Sequence, residues 1–311
     1  MKTGKRLGKN SVEGEMALIS KKLGYLTLEL QPRKWLNTGS KLLNAVLGSR
    51  EFGIAYGKMM ELFGPESNGK SLLAWLLMGL AQADLAEGAW VDLEGSADKK
   101  WAERQGVDWD KLYRFAPKLI QTSKKEKPRL QTAEELCDEV ELWMERRHAA
   151  GCRKMFIVVD SVTAMLVEDE ATGGNTDQNM RSKLALASYL SRLLRRWVAL
   201  AQVYNAHIVF INQLRMSPVA FGNPETTTGG KALKFYCSIR ASVRRVKGGR
   251  LLQQGKMVGL KGIIKNVKNK SGESSLEGHE SGFKCSFLRN DWRFMSAKKL
   301  KKEMEEAGEG A

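Results

Sequence analysis

Residues 59–71 read Met-Met-Glu-Leu-Phe-Gly-Pro-Glu-Ser-Asn-Gly-Lys-Ser, an apolar run that breaks into two glycines, a lysine and a hydroxyl residue before apolar residues resume. Gly64-Pro65-Glu66-Ser67-Asn68-Gly69-Lys70-Ser71 is the phosphate-binding loop pattern, and it stands directly after an expected strand and directly before an expected helix. The glycines let the backbone curl so that its N–H groups face phosphate oxygens, and the helix that begins at Lys70 adds a partial positive charge. Lys70 supplies a full charge near the terminal phosphates of a nucleotide, and Ser71 offers its hydroxyl to Mg2+.

From Thr38-Gly39-Ser40 onward strands and helices alternate, which predicts an α/β fold with a mostly parallel central sheet and helices on both faces. Strands are expected at 59–63, 88–93, 154–159, 207–211, 238–246 and 256–266. Helices are expected from Lys70, from the capping-box pattern Thr132-Ala-Glu-Glu135, and over 183–203. In the last of these Leu190, Leu193, Leu194, Trp197 and Ala201 form one apolar face. Polar stretches at 121–131, 168–179 and 216–230 read as loops, and a loop as long as the last is commonly functional. Residues 1–35 form an arm unable to build a core alone, 36–295 the core, and 296–311 a short charged tail with a solvated helix.

Met155-Phe-Ile-Val-Val159 followed by Asp160 puts a carboxylate at the carboxyl end of a buried strand, the place of a second Mg2+ ligand. An Asp there is also a common turn starter, so this assignment leans on the phosphate loop. Trp90-Val-Asp-Leu-Glu94 ends another strand with carboxylates. Glu94 lies nearer the mouth and is the general-base candidate for activating water, with Asp92 the competing choice.

Composition narrows the partners. Lys and Arg number 51 against 35 acidic residues, and the resulting net charge of +16 favours a polyanion, although a basic surface also serves solubility. Cys137, Cys152, Cys237 and Cys285 show no metal or redox spacing, and His148, His207 and His279 are equally scattered, so neither a zinc site nor histidine catalysis is expected. No apolar stretch reaches the ~20 residues of a membrane span, and the N-terminus lacks an apolar signal segment. A cytoplasmic protein with no membrane partner is expected.

Phe210-Ile-Asn-Gln213-Leu-Arg215-Met216 and Phe221-Gly-Asn-Pro-Glu-Thr-Thr-Thr-Gly-Gly-Lys-Ala-Leu-Lys-Phe-Tyr236 closely resemble the bacterial RecA recombinases. So do Gly64-Pro-Glu-Ser67, Val158-Val-Asp-Ser-Val162, Arg244-Arg245 and Val267-Lys-Asn-Lys270, in the same order, from about Thr38 to about Phe294. The resemblance implies a RecA-like ATPase core with ATP and Mg2+ as cofactors. It assigns Glu94 to water activation, Asp98 and Trp101 to the adenine, and Gln213 to sensing the terminal phosphate. Trp101 stands where bacterial members usually carry Tyr, an exchange that keeps an aromatic face. Lys268 and Lys270 match a pair that reaches the nucleotide of a neighbouring subunit, with Phe235 beside it.

For DNA, the resemblance points to Arg181, Ser182 and Lys183 in a first loop about three residues longer than usual, and to Arg215, Met216, Ser217, Thr228, Gly229, Gly230 and Lys231 in a second. Arg195, Arg244 and Lys265 match further basic positions. The implied partners are single-stranded DNA, homologous double-stranded DNA and other copies of the chain in a helical filament, with the 1–35 arm in subunit docking. The implied function is a DNA-dependent ATPase that carries out homologous pairing and strand exchange in recombination and repair. A ring-forming helicase and a DNA-coating mediator without catalysis remain as alternatives on the same core. The sequence stops soon after Phe294, as expected of a compact or phage-type variant without the separate C-terminal domain of bacterial members.

Overall fold

Four consecutive buried strands organise the chain, each apolar on both faces. The computed structural model describes residues 34–121, 127–169, 178–216, 225–271, 273–289 and 291–307, and for 178–183 and 216 the backbone alone. The elements begin with β1 (Trp35–Leu36), α1 (Lys41–Leu47), β2 (Ile54–Ala55), β3 (Met59–Gly64), α2 (Lys70–Ala83), β4 (Glu87–Asp92) and α3 (Lys99–Arg104). There follow β5 (Tyr113–Phe115), β6 (Leu119–Ile120), β7 (Arg129–Leu130), α4 (Ala133–Ala149), β8 (Met155–Asp160) and α5 (Gln178–Tyr204). The remainder is β9 (Ala206–Met216), β10 (Glu225–Thr227), α6 (Ala232–Tyr236), β11 (Ile239–Gln253), β12 (Lys256–Asn269), β13 (Glu280–Ser286), β14 (Asp291–Ser296) and α7 (Ala297–Glu306).

The main sheet runs β14-β13-β12-β11-β3-β9-β8-β4-β5. From β11 to β5 the neighbours are parallel, and β12, β13 and β14 extend the sheet antiparallel. The period-two alternation of a strand divides each apolar run between two cores. Met60, Leu62, Trp90, Phe156, Val158, Val209 and Ile211 pack with Leu73, Trp75 and Leu77 of α2 on one face. Met59, Ala89, Val91, Ile157, Val159, Ile208 and Phe210 pack on the other with Leu136 and Val140 of α4 and Leu190, Leu194 and Trp197 of α5. The mostly parallel sheet with helices on both faces is therefore the observed architecture. No described helix is long and apolar enough to cross a membrane.

Local signals fix the helix starts. Thr132 and Glu135 form a reciprocal capping box at α4, and Ser40, Asp98 and Ser296 cap α1, α3 and α7. Several expectations need correction. The stretch expected as a loop over 216–230 contains β10, which pairs antiparallel with β9 through Thr227↔Leu214. Helix α5 begins at Gln178, five residues ahead of the expected start, and Arg129–Leu130 in the stretch expected as loop pairs with Leu119–Ile120. Helix α7 is not simply solvated: Leu300 and Met304, one turn apart, are buried. The arm expected over 1–35 lies, as far as Arg33, outside the described residues.

On β9, His207 is fully enclosed, stacked on Phe156 at 5.4 Å with Nδ1 2.9 Å from the Ala55 carbonyl, while its Nε2 has no hydrogen-bond partner. Burial pushes its pKa from the usual 6.5 down to about 4, opposed only in part by that carbonyl. The unfolded chain takes up this proton near pH 6.5, whereas the folded chain holds the ring neutral until near pH 4, so stability is lost as the pH falls through that window. Between pH 7 and pH 5 the urea-unfolding free energy of the native chain should drop about 2 kcal/mol more than that of His207→Gln. Parallel profiles for the two proteins would refute this origin.

Candidate active site

The phosphate loop is shaped by its neighbours. Gly64 approaches β11 so closely that a Cβ there would lie 2.1 Å from the Val243 carbonyl oxygen. Asn68 is buried and holds both sides of the loop: its Nδ2 donates to the Glu66 carbonyl at 3.2 Å, and its Oδ1 accepts from the Arg245 backbone N–H at 2.9 Å. Gly69 takes the left-handed conformation with φ 89° as N-cap of α2, with no side-chain cap. The first N–H groups of α2 are therefore left for whatever the loop encloses. Lys70 is buried and its Nζ donates to the Gly64 and Pro65 carbonyls at 3.1 and 2.8 Å. Burial lowers its pKa, while Asp160, Glu94 and Glu66 act in the opposite direction. Pro65, Glu66 and Ser67 form the outer, more accessible arc.

Four parallel strands end together at this mouth. Gly64 of β3 lies opposite Gln213 of β9, and Asp92 of β4 opposite Asp160 of β8. Asp160 is 2% exposed, and burial raises its pKa to about 7 despite a hydrogen bond from Ser71 and the nearby Lys70 charge. Ser71 and Asp160 are thus neighbours, one hydroxyl and one carboxylate. Among the described residues no group of three or more His, Cys, Asp or Glu could hold a metal. This donor set suits an ion such as Mg2+, which commonly takes one or two protein ligands and completes its shell with phosphates and water.

The two strand-end carboxylates differ in their hydrogen bonds. Asp92 is committed to the chain, accepting from the Ser96 and Ala97 N–H groups at 3.0 Å each. Glu94 is exposed at the mouth, accepts from the Ser161 hydroxyl, and lies 3.5 Å from Gln213 Nε2. Ser161 was not singled out from sequence, although it stands in the Val158-Val-Asp-Ser motif.

Beside the mouth, Asp98 accepts from the Trp101 N–H at 2.9 Å. The half-buried Trp101 ring meets Phe287 edge-on at 4.9 Å and lies under the Arg104 guanidinium at 5.3 Å. Away from this group, Lys268 Nζ donates to the Lys234 and Phe235 carbonyls at the end of α6 at 2.6 and 2.9 Å. Burial and then the Lys270 charge lower its pKa. The Phe235 side chain is 72% exposed on the same surface. Within one chain, then, Phe235 of α6, Lys268 of β12 and Lys270 just past the end of β12 form a separate surface feature.

The second loop expected to contact DNA is tied to the centre of the sheet. Glu61 on β3 is fully buried, paired with Arg240 of β11 at 2.5 Å and accepting from Asn212 Nδ2 of β9 at 3.0 Å. The same Asn212 amide donates to the Thr228 carbonyl at 3.0 Å, just past β10. Gly229, with φ +85°, is buried so close to α5 that a Cβ would sit 2.3 Å from Leu190 Cδ1, and one on Gly230 would sit 3.2 Å from Ala187 Cβ. Arg215 and Lys231 are exposed at the two ends of this hairpin. Arg181, Ser182 and Lys183 fall in the first turns of α5, Met216 ends β9, and Ser217 lies outside the described residues. The other cations are engaged: Arg244 with Glu225, Lys265 with Glu280 at 3.2 Å, and Arg195 with the Ser191 carbonyl of its own helix at 3.2 Å. Sequence reading missed the Glu61–Arg240–Asn212 group; its one signal is a carboxylate within the apolar run Met59-Met-Glu-Leu-Phe63.

A parallel sheet whose strand ends carry an uncapped helix start, a buried lysine and paired carboxylates defines a phosphate-loop nucleotide-binding protein. The RecA N-terminal domain model matches residues 5–276. Over 247 residues the chain is 36% identical to Protein RecA of Sulfurovum sp., covering 78% of this chain and 63% of that protein. It is 34% and 33% identical over 270 residues to Protein RecA of Campylobacter fetus and of Campylobacter hominis, covering 84% of this chain and 71% and 70% of those proteins. The chain belongs to the RecA family.

Breaking the central ion pair should be severe, because one charge would remain buried alone. Arg240→Met is expected to lower unfolding free energy by about 3–5 kcal/mol, and Glu61→Leu combined with Arg240→Met to recover most of that loss. Guanidinium denaturation of both variants checks this; equal destabilisation by the single and the double change would sink it.

Proposed function

We propose that this chain is a DNA-dependent ATPase that assembles as a helical filament on single-stranded DNA and catalyses homologous pairing and strand exchange. The observation that carries the reading is the position of Gln213. It lies opposite Gly64 of the phosphate loop and within 3.5 Å of Glu94, and it is three residues from the end of β9, which leads into the β9–β10 hairpin. One short stretch of strand thus serves both the nucleotide mouth and the candidate DNA loop, so a change at the first can reposition the second. Hairpin and phosphate loop together favour the recombinase reading over a ring helicase or a non-catalytic mediator.

In this reading the residues divide the work. The 64–71 loop and the start of α2 hold the phosphates of ATP, and Lys70 exchanges its two carbonyl contacts for phosphate oxygens. Ser71 and Asp160 would hold Mg2+, which supplies charge neutralisation to the phosphates when bound. Glu94, oriented by the Ser161 hydroxyl, takes the proton of the attacking water, and Asp98 and Trp101 receive the adenine. Lys268, Lys270 and Phe235 face the nucleotide of the next subunit, so full turnover depends on assembly; cations supplied across an interface are worth roughly 10³ to 10⁵ in rate for phosphoryl transfer. Arg181, Ser182, Lys183, Arg195, Arg215, Met216, Ser217, Thr228, Gly229, Gly230, Lys231, Arg244 and Lys265 remain the proposed DNA contacts. A cytoplasmic setting agrees with four free cysteines.

ATP turnover measured with and without single-stranded DNA, then imaging of the same sample, tests the reading. Turnover should rise with DNA and filaments should form; turnover indifferent to DNA would overturn it. Glu94→Gln should remove turnover while leaving nucleotide affinity within about threefold, since a neutral amide cannot accept the proton. Single-strand affinity should fall steeply with salt, by about 0.7 log units per log unit of salt for each phosphate neutralised.

A further inference from the structure

The stretch from Thr226 to Ser271, together with residue 272, carries twelve lysines and arginines and no aspartate or glutamate. Most of it is the β11–β12 hairpin. Strand β3 pairs with β11 only over 239–242, and β13 pairs with β12 only from Gly259 to Lys265. The last pairs, Leu252↔Met257 and Gln253↔Lys256, therefore lie beyond both flanking strands and form a two-stranded tip past the edge of the sheet. Its turn is tight: Gln254 and Gly255 both have positive φ, 50° and 75°, the signature of a type I′ hairpin whose twist matches its strands.

At the tip the pattern inverts the usual surface rule. Leu252 and Met257 lie directly opposite each other and are 61% and 40% exposed. Lys256 adjoins Met257, Arg250 stands two residues before Leu252 and Lys247 further down the hairpin, and all three are exposed. The pair is held rather than loose. A register shift between Leu251 and Leu252 makes Val258 the extra residue, the Phe287 N–H donates to the Val258 carbonyl at 2.7 Å, and Gly259 leaves just the space that Leu251 fills. Such a bulge re-aims a strand end and strengthens its twist. The base of the same ribbon is fastened to the phosphate loop through Arg245 and Asn68.

We infer that the β11–β12 tip is an apolar wedge for duplex DNA, in which Lys247, Arg250 and Lys256 engage phosphates while Leu252 and Met257 insert at a base step. Apolar side chains are inserted in this way by proteins that unstack and kink a duplex. Duplex DNA is the occupant that the charges favour: the rim offers cations only, and a second copy of this chain carries the same +16. The inference rests on the DNA-binding reading above and adds a separate contact, distinct from the β9–β10 hairpin.

The test uses the full chain and a duplex oligonucleotide carrying a fluorescent base that brightens when unstacked. The native chain should brighten it. Leu252→Ser combined with Met257→Ser should abolish the signal and weaken duplex affinity roughly tenfold, with single-strand-stimulated ATP turnover intact. Leu252→Phe, which keeps an apolar tip, should retain the signal. Replacing Lys247, Arg250 and Lys256 by Gln should instead reduce the salt slope of duplex binding by about 0.9 for each phosphate no longer neutralised. Undiminished brightening by the serine variant, or a change in its assembly size by sedimentation with duplex binding unaltered, overturns the wedge. Absence of DNA-stimulated turnover in the native chain strikes the functional reading instead.

Discussion

The contact on which much of this structure depends is the buried carboxylate of Glu61. It lies on the central strand β3 with no exposure, and it joins Arg240 on one neighbouring strand to Asn212 on the other. A lone carboxylate there would be strongly unfavourable, so the partners must be brought to it. Satisfying it selects the order β11-β3-β9, and the remaining Asn212 hydrogen bond then brings the Thr228 backbone to the sheet. Arg240 also lies over the Phe63 ring at 4.6 Å, directly before the phosphate loop.

The phosphate loop depends on the same strand order in a second way. Because β11 is parallel to β3, Val243 and Arg245 reach just past the end of β3 and form a wall against Gly64 and Asn68. The loop therefore has its curvature imposed from outside as well as by its glycines. Lys70 rests on two loop carbonyls, so an entering anion meets a charge already near the mouth.

Much of this was legible in the sequence, for identifiable reasons. Strands buried on both faces are continuous apolar runs, so Met59–Gly64 and Met155–Asp160 stood out with the residues at their carboxyl ends. Thr132 and Glu135 announced α4 because a capping box is entirely local. Strand β10 was hidden, since Glu-Thr-Thr within a Gly- and Pro-rich stretch has no apolar alternation and pairs only because β9 is there. The first turns of α5 were hidden likewise, as Gln178-Asn-Met-Arg-Ser182 shows no periodic apolar face. In the tail, two apolar residues among lysines and glutamates looked solvated, yet Leu300 reaches Gly282, which has no side chain in its way. The Glu61–Arg240 pair was invisible because its members are 179 residues apart.

The close seat of Gly229 against Leu190, with Gly230 beside Ala187, couples two regions that look separate along the chain. Helix α5 is 27 residues long and behaves as a rod of about 40 Å. Its first turns carry Arg181, Ser182 and Lys183, and its middle is notched by the turn that follows β10. A turn seated this closely has no room to move toward the helix without displacing Leu190 or Ala187. The proposed DNA-contacting segments at the start of α5 and after β10 are therefore joined through one packed contact rather than through the chain between them.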